Sequence, residues 1–125
     1  MSCLSDTPFL FILHAMSISL RFIGKSADDL RFFIIMDGQH AGGVSVYGLD
    51  CPRFSYGIAI SRHMRRKGAA KGALTLLFER MKASGFTHAI VQIEDVNTAS
   101  LALHTALGFT KSSVNGRIVT MEKDI

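Results

Sequence analysis

The sequence has no tryptophan, and only two tyrosines, two prolines and two cysteines among its 125 residues. With so few prolines and no Pro/Gly/Ser-rich stretch, nothing marks a linker. A chain of this length is therefore expected to form a single domain over residues 1–125. The cysteines, Cys3 and Cys51, have no metal-ligand spacing, which argues against a disulfide framework and against a zinc site. Free thiols in a reducing cytoplasm are the expectation. Long hydrophobic runs are missing too. Phe9–Leu13 falls far short of the roughly 20 residues that span a bilayer. Residues 1–8 carry Asp6 and no Lys or Arg, so a signal peptide is not expected. Charge is sparse at 19% against 48% hydrophobic residues, a balance of compact folds rather than disordered chains. The net charge of +4 suits an anionic ligand without requiring nucleic acid.

What is present is periodicity. Phe9, Ile12, Leu13 and Met16 recur at helical spacing, whereas Ile18, Leu20 and Phe22 alternate; residues 9–23 read as a helix followed by an extended piece. Leu30–Met36 is rich in β-formers and ends at Asp37-Gly38, a hairpin signal because both turn positions need positive φ. His40–Tyr47 returns, Gly48–Arg53 reads as a loop, and Phe54–Ser61 forms a further strand. On that strand Gly57 and Ala59 leave room for something to lie against the backbone. A helix follows from Ala69 to about Ser84, its stripe made by Ala70, Ala73, Leu74, Leu77, Phe78 and Met81 and its end marked by Gly85. His88–Ile93 reads as a strand covered on both faces. Asn97 caps a short helix from Thr98 to Leu107, and Phe109–Val114 and Arg117–Lys123 make a last hairpin around Asn115-Gly116. The fold class is α/β, with a mixed sheet and helices packed on its faces.

The segment Arg65-Arg66-Lys67-Gly68-Ala69-Ala70-Lys71 opens directly onto the long helix. The first amides of a helix have no intrahelical partner and sit at its positive end, so they hold anions. Gly68 has no Cβ to keep a phosphate from the main chain, Ala70 keeps the first turn slim, and the basic side chains add charge. The segment is neither a Walker A loop nor a dinucleotide fingerprint. On its own it reads equally well as a solvated basic turn.

Downstream lies Asn97-Thr-Ala-Ser100-Leu-Ala-Leu103-His104-Thr-Ala-Leu107-Gly108-Phe109. Taken together, the two segments resemble the GNAT superfamily of N-acetyltransferases. Its motifs are Arg/Gln-x-x-Gly-x-Gly/Ala and, one helix and one strand later, Asn-x-x-Ala/Ser-x-x-Leu-Tyr-x-x-x-Gly-Phe. The match is good from Phe54 to Thr110 and plausible from Leu30 to Lys123. It does not extend to residues 1–29, where the family has a first strand and two helices; the expectation is a GNAT-like acyl-CoA N-acyltransferase fold with a short N-terminal part.

The resemblance implies acetyl-CoA as cosubstrate and an amine as acceptor. It implies that Ile58, Ala59 and Ile60 offer main-chain groups to the pantetheine arm and acetyl carbonyl. Arg65, Arg66, Lys67, Gly68, Ala69, Ala70 and Lys71 would surround the pyrophosphate, and Asn97 would touch the cofactor further along. The family's usual tyrosine, which protonates the departing thiolate, falls on His104, whose imidazole is chemically suited to the task. No carboxylate falls at the family's usual base positions, which here hold Phe54, Ser55 and Gln92. Glu94 and Asp95 are nearest and read best as solvated charges at a strand end; a water relay or an acceptor arriving as neutral amine serves instead. Cys3 and Cys51 have no visible activating partner. Two other readings stand beside transfer. One is a domain that binds acetyl-CoA without turnover. The other is a basic nucleic-acid-binding α/β module, disfavoured because no aromatic platform is interleaved with the basic residues. The final hairpin also leaves a strand edge through which two copies could pair.

Overall fold

The computed structural model describes residues 11–13, 17–26, 29–66 and 68–125. In chain order the elements are β1 (Phe11–Leu13), β2 (Ile18–Lys25), β3 (Leu30–Met36), β4 (Gln39–Asp50), β5 (Arg53–Ile60), a single 3-10 turn (Arg62–Met64), α1 (Ala69–Ala83), β6 (His88–Glu94), α2 (Thr98–Ala106), β7 (Thr110–Asn115) and β8 (Ile118–Asp124). The strands form one eight-stranded sheet in the order β1-β2-β3-β4-β5-β6-β8-β7. All neighbours are antiparallel except β5 and β6, which run parallel. The expected mixed α/β sheet is what forms.

Alternation sets the two faces. Along β3, Leu30, Phe32, Ile34 and Met36 are buried while Arg31 and Phe33 point outward. Asp37 and Gly38 take φ of 50° and 80°, so the tight turn forms as the sequence requires. Val44 and Val46 of β4 and Phe54 and Tyr56 of β5 continue the buried face. Onto it packs α1, through Ala73, Leu74, Leu77, Phe78 and Met81. Gly85, at φ 96°, follows the C-cap Ser84 and stops the helix. The second helix lies on the same face, where His104 stacks on Tyr56 and Phe109 meets it edge-on. Phe54, Tyr56, Phe78, Phe86 and Phe109 form an aromatic cluster between sheet and helices, with centroid separations of 5.7–6.4 Å, a spacing at which rings attract. Among the described residues no helix covers the opposite face, and Phe33 and Tyr47 are 39% and 38% exposed there.

Four expectations need correction. Residues 11–13 are not helical; they pair with β2, Phe11 opposite Leu20. Phe and Ile at helical spacing also suit a strand, and the available edge of β2 decided the matter. The rest of the expected helix lies outside the described residues. Gly48–Arg53 is not a loop, because β4 runs to Asp50 and β5 begins at Arg53, and Asp50 pairs with Arg53. Gly48 at φ 58° lets the strand shift register and continue. The next strand, β6, is not covered on both faces: Ala89, Val91 and Ile93 are buried, while Gln92 and Glu94 are exposed. Last, Cys51 is disulfide-bonded, so its thiol is not free and the thiol-based argument for a reducing compartment lapses. A disulfide depends on which segments the fold brings within bonding distance, and sequence spacing does not encode that. Among the described residues no helix is long and apolar enough to cross a membrane.

Candidate active site

The site begins with two strands that part. The β5–β6 ladder holds four pairs, from Arg53–His88 to Tyr56–Val91, and then ends. Beyond it, β5 stays with β4 through Gly57–Ser45 to Ile60–Gly42, and β6 stays with β8 through Gln92–Thr120 to Glu94–Ile118. A gap opens between them. The amide of Ser61 donates to the carbonyl of Ala41 at 2.8 Å, so Ser61, Ala59 and Gly57 turn their main-chain groups towards β4. By alternation Ile58 and Ile60 turn theirs into the gap, where β6 no longer runs alongside. Ala59 itself is exposed.

Gly42 holds β4 close along the same stretch. A Cβ on Gly42 would stand 2.1 Å from the Ala59 carbonyl oxygen, so only glycine allows this approach.

At the mouth of the gap the chain turns into α1. Arg65 Nε donates to the carbonyl of Ile60 at 3.2 Å, which lays the guanidinium across the end of β5. Arg66 takes φ 62° and Gly68 φ 80°; both are left-handed, and this brings the main chain sharply round into the helix. The first bond of the helix runs from Gly72 N–H to Gly68 C=O at 3.0 Å. The amides of Ala69, Ala70 and Lys71 therefore have no acceptor within the helix, no side chain caps them, and no acidic residue lies in the first turn. Arg65, Arg66 and Lys71 are exposed, while Ala69 turns its methyl into the core at 2% exposure. Its contribution to a ligand is confined to its amide. Lys67 lies outside the described residues. The result is an uncapped helix end, rimmed by cations and adjoining a strand that has left its β6 ladder and whose Ile60 carbonyl is taken by Arg65, a setting in which a phosphate is stabilised.

Asn97 sits at the start of α2. Its Oδ1 accepts from Ser100 N–H at 3.1 Å, the N-cap bond its sequence position calls for. The amide nitrogen of that side chain remains to donate outward.

His104 turns into the core. Its side chain is fully buried. Nδ1 is 2.8 Å from the carbonyl oxygen of Ser100, and a carbonyl only accepts, so Nδ1 carries the proton. Nε2, 2.8 Å from the Tyr56 hydroxyl, then accepts from the phenol. Burial lowers the His104 pKa, opposed by the bond to Ser100; burial raises that of Tyr56, helped by Tyr47. Both groups are neutral. To protonate a bound thiolate, His104 would have to break its bond to Ser100 and reach the gap from beneath the sheet. Sequence position put a titratable group here; only the packing showed that it faces inward.

Two residues that the sequence did not single out are tyrosines. Tyr56 holds His104, and Tyr47 of β4 donates to the Tyr56 carbonyl at 3.4 Å from the uncovered face. Nothing local marks either one: Tyr56 reads as one more apolar position of a strand.

Comparison with known proteins agrees with this architecture. A family model described as Acetyltransferase (GNAT) family matches residues 5–109. No curated protein matches the chain. Among solved structures the chain is similar to the ribosomal-protein-S18-alanine N-acetyltransferase of Escherichia coli, with 20% identity and a TM-score of 0.70 over 81% of this chain and 72% of that one. It is similar to the PaiA N-acetyltransferase of Thermoplasma acidophilum in complex with coenzyme A, with 17% identity and a TM-score of 0.72 over 78% and 62%. It is also similar to the N-acetyltransferase PseH of Campylobacter jejuni in complex with acetyl coenzyme A, with 14% identity and a TM-score of 0.69 over 79% and 70%. At these identities the likeness is one of fold.

Proposed function

The chain belongs to the GNAT acetyltransferase family, and we propose that it moves the acetyl group of acetyl-CoA to an amine. The observation that carries this reading is the uncapped, cation-rimmed start of α1 set against the parting of β5 and β6. One feature suits a pyrophosphate and the other suits an extended, amide-bearing arm. Two of the similar structures are complexes with coenzyme A or acetyl coenzyme A, which supports the same ligand here.

When bound, acetyl-CoA supplies an activated thioester. Arg65, Arg66, Lys67 and Lys71 neutralise the pyrophosphate, while the amides of Gly68, Ala69, Ala70 and Lys71 donate to it. Each charge-assisted bond contributes about 1.5–3 kcal/mol. Ile58 pairs with the arm as a strand would, Ile60 adds its N–H while its carbonyl stays with Arg65, and the Ile58 N–H polarises the acetyl carbonyl. Ala59 packs against the arm with its methyl group, and Asn97 donates from the α2 side. His104 acts from behind β5 as a positioning residue, fixing Tyr56 where the strands part. The exposed Glu94, at the open end of β6, favours an acceptor that arrives as a cation near the gap.

Calorimetric titration with acetyl-CoA tests the assignment. The parent chain should bind with micromolar affinity, and Gly68→Asp, which sets a carboxylate among the donors, should abolish binding while the circular dichroism spectrum is retained. Equal affinity in the two proteins would remove the pyrophosphate from α1. Binding without acetylation across a broad amine panel would leave a coenzyme-binding domain without turnover, a reading that the burial of His104 favours.

A further inference from the structure

On the face of the sheet away from the helices, one phenol reaches the point where β5 and β6 part. Tyr47 of β4 lies opposite Ser55 of β5. Its ring reaches over Gly57, with Cε1 3.9 Å from where a Cβ on that glycine would stand. Its Oη bonds to the carbonyl of Tyr56, and Tyr56 is the last β5 residue still paired with β6. The bond is long at 3.4 Å and Tyr47 is 38% exposed, so little holds the hydroxyl in place. The next main-chain groups turned into the gap belong to Ile58, two residues and about 7 Å along the strand.

We propose that Tyr47 is the proton donor to the sulfur that leaves in acetyl transfer. This assignment rests on the acetyl-transfer reading given above. The acceptor nitrogen bonds to the acetyl carbon and the carbon–sulfur bond breaks. As it breaks, the proton of Tyr47 Oη passes to sulfur and frees coenzyme A as the thiol. The phenolate then takes the surplus proton from the nitrogen of the new amide, so donor and charge are restored each turn. A hydroxyl that is a general acid and reaches the point of departure can pass its proton to the sulfur as the bond breaks. Other donors on this face are less suited. Ser45 and Ser55 carry aliphatic hydroxyls, far weaker acids than a phenol, while His104 and Tyr56 are sealed beneath the sheet. By register, the charged and titratable groups sharing the face are Arg21 of β2, Arg31 of β3, His40 and Asp50 of β4, Arg53 of β5, His88 and Glu94 of β6, and Glu122 and Asp124 of β8.

Tyr47→Phe removes only the hydroxyl from a partly exposed ring. Release of coenzyme A thiol from acetyl-CoA, with hydroxylamine as the acceptor, should fall about 100-fold in kcat, while calorimetric affinity for coenzyme A stays within twofold. A second readout needs no turnover. The chain has two tyrosines, so in protein labelled at tyrosine Cζ the resonance missing from Tyr47→Phe is that of Tyr47, and coenzyme A should shift it. A variant with full turnover, or a Tyr47 resonance unmoved at saturating coenzyme A, would overturn the assignment and leave the acetyl-transfer reading intact. A parent chain that neither binds acetyl-CoA nor releases thiol would remove both.

Discussion

The imidazole of His104 and the phenol of Tyr56 share a hydrogen bond of 2.8 Å inside the core, linking the second helix to the strand beneath it. Ser100 fixes the tautomer at one end through its carbonyl, so the phenol at the other end must donate. Tyr56→Phe leaves Nε2 buried with an unused lone pair, at a cost of about 1–3 kcal/mol. Urea denaturation should report that loss with the cooperative slope unchanged. A variant as stable as its parent would show that the bond contributes nothing net.

Acid should work against the same residue. Burial holds the folded-state pKa of His104 below its ordinary value, so below about pH 6.5 the unfolded chain binds a proton that the folded chain refuses. Stability then falls as pH drops. His104→Gln has no such proton to refuse, and its stability deficit relative to the parent should shrink between about pH 7 and pH 5. A constant deficit across that range would show that His104 does not titrate as its burial requires.

His88 runs the other way. Its Nε2 lies 2.5 Å from Glu122 Oε1 and its Nδ1 2.8 Å from Asp124 Oδ1. The bond to Glu122 first, and the bond to Asp124 second, raise its pKa, and the same contact lowers that of Glu122. The contribution of His88 is full below about pH 6.5 and is lost as pH rises through the raised folded value. That of Glu122 is present above the ordinary carboxylate range and lost as pH falls through its lowered value. His88→Gln should therefore be most destabilising near pH 5.5 and nearly neutral at pH 9. Urea midpoints at those two pH values decide it, and an equal deficit at both would contradict the pairing.

Gly42→Ala should be costly in a way its surroundings do not suggest. The new methyl would meet the Ala59 carbonyl oxygen at 2.1 Å, and backbone cannot swing aside as a side chain can. The expected loss is about 3 kcal/mol, at the upper end for overpacking, together with weaker acetyl-CoA binding because β5 is displaced. Differential scanning calorimetry and the coenzyme titration test the two parts; a melting temperature within a degree of the parent would contradict the close approach.

Asn97→Ala removes a cap that the sequence and the structure place alike. It should lower stability by about 1 kcal/mol and weaken acetyl-CoA binding several-fold. If Asn97→Ser, which restores the cap but not the outward amide, recovers stability without affinity, the two roles are separate. Recovery of both would assign Asn97 to capping alone.

The sequence by itself determined whatever depends on residues near one another in the chain. Asp37-Gly38, Gly85 and Asn97 each mark a turn or helix end by local geometry, and the start of α1 after Gly68 was legible in the same way. Alternation in β3 and the stripe of α1 were legible because one face of each is buried. Tertiary structure alone decided what depends on which segments meet. Residues 11–13 became a strand because β2 had a free edge. The gap at Ile58 and Ile60 exists because β6 follows β8 away from β5. Cys51 is disulfide-bonded, which its spacing in the sequence does not announce. His104 shows the limit most plainly, since its position in a motif is a matter of spacing, but whether it meets a ligand or a core tyrosine depends on how α2 is rotated against β5, and only packing fixes that rotation.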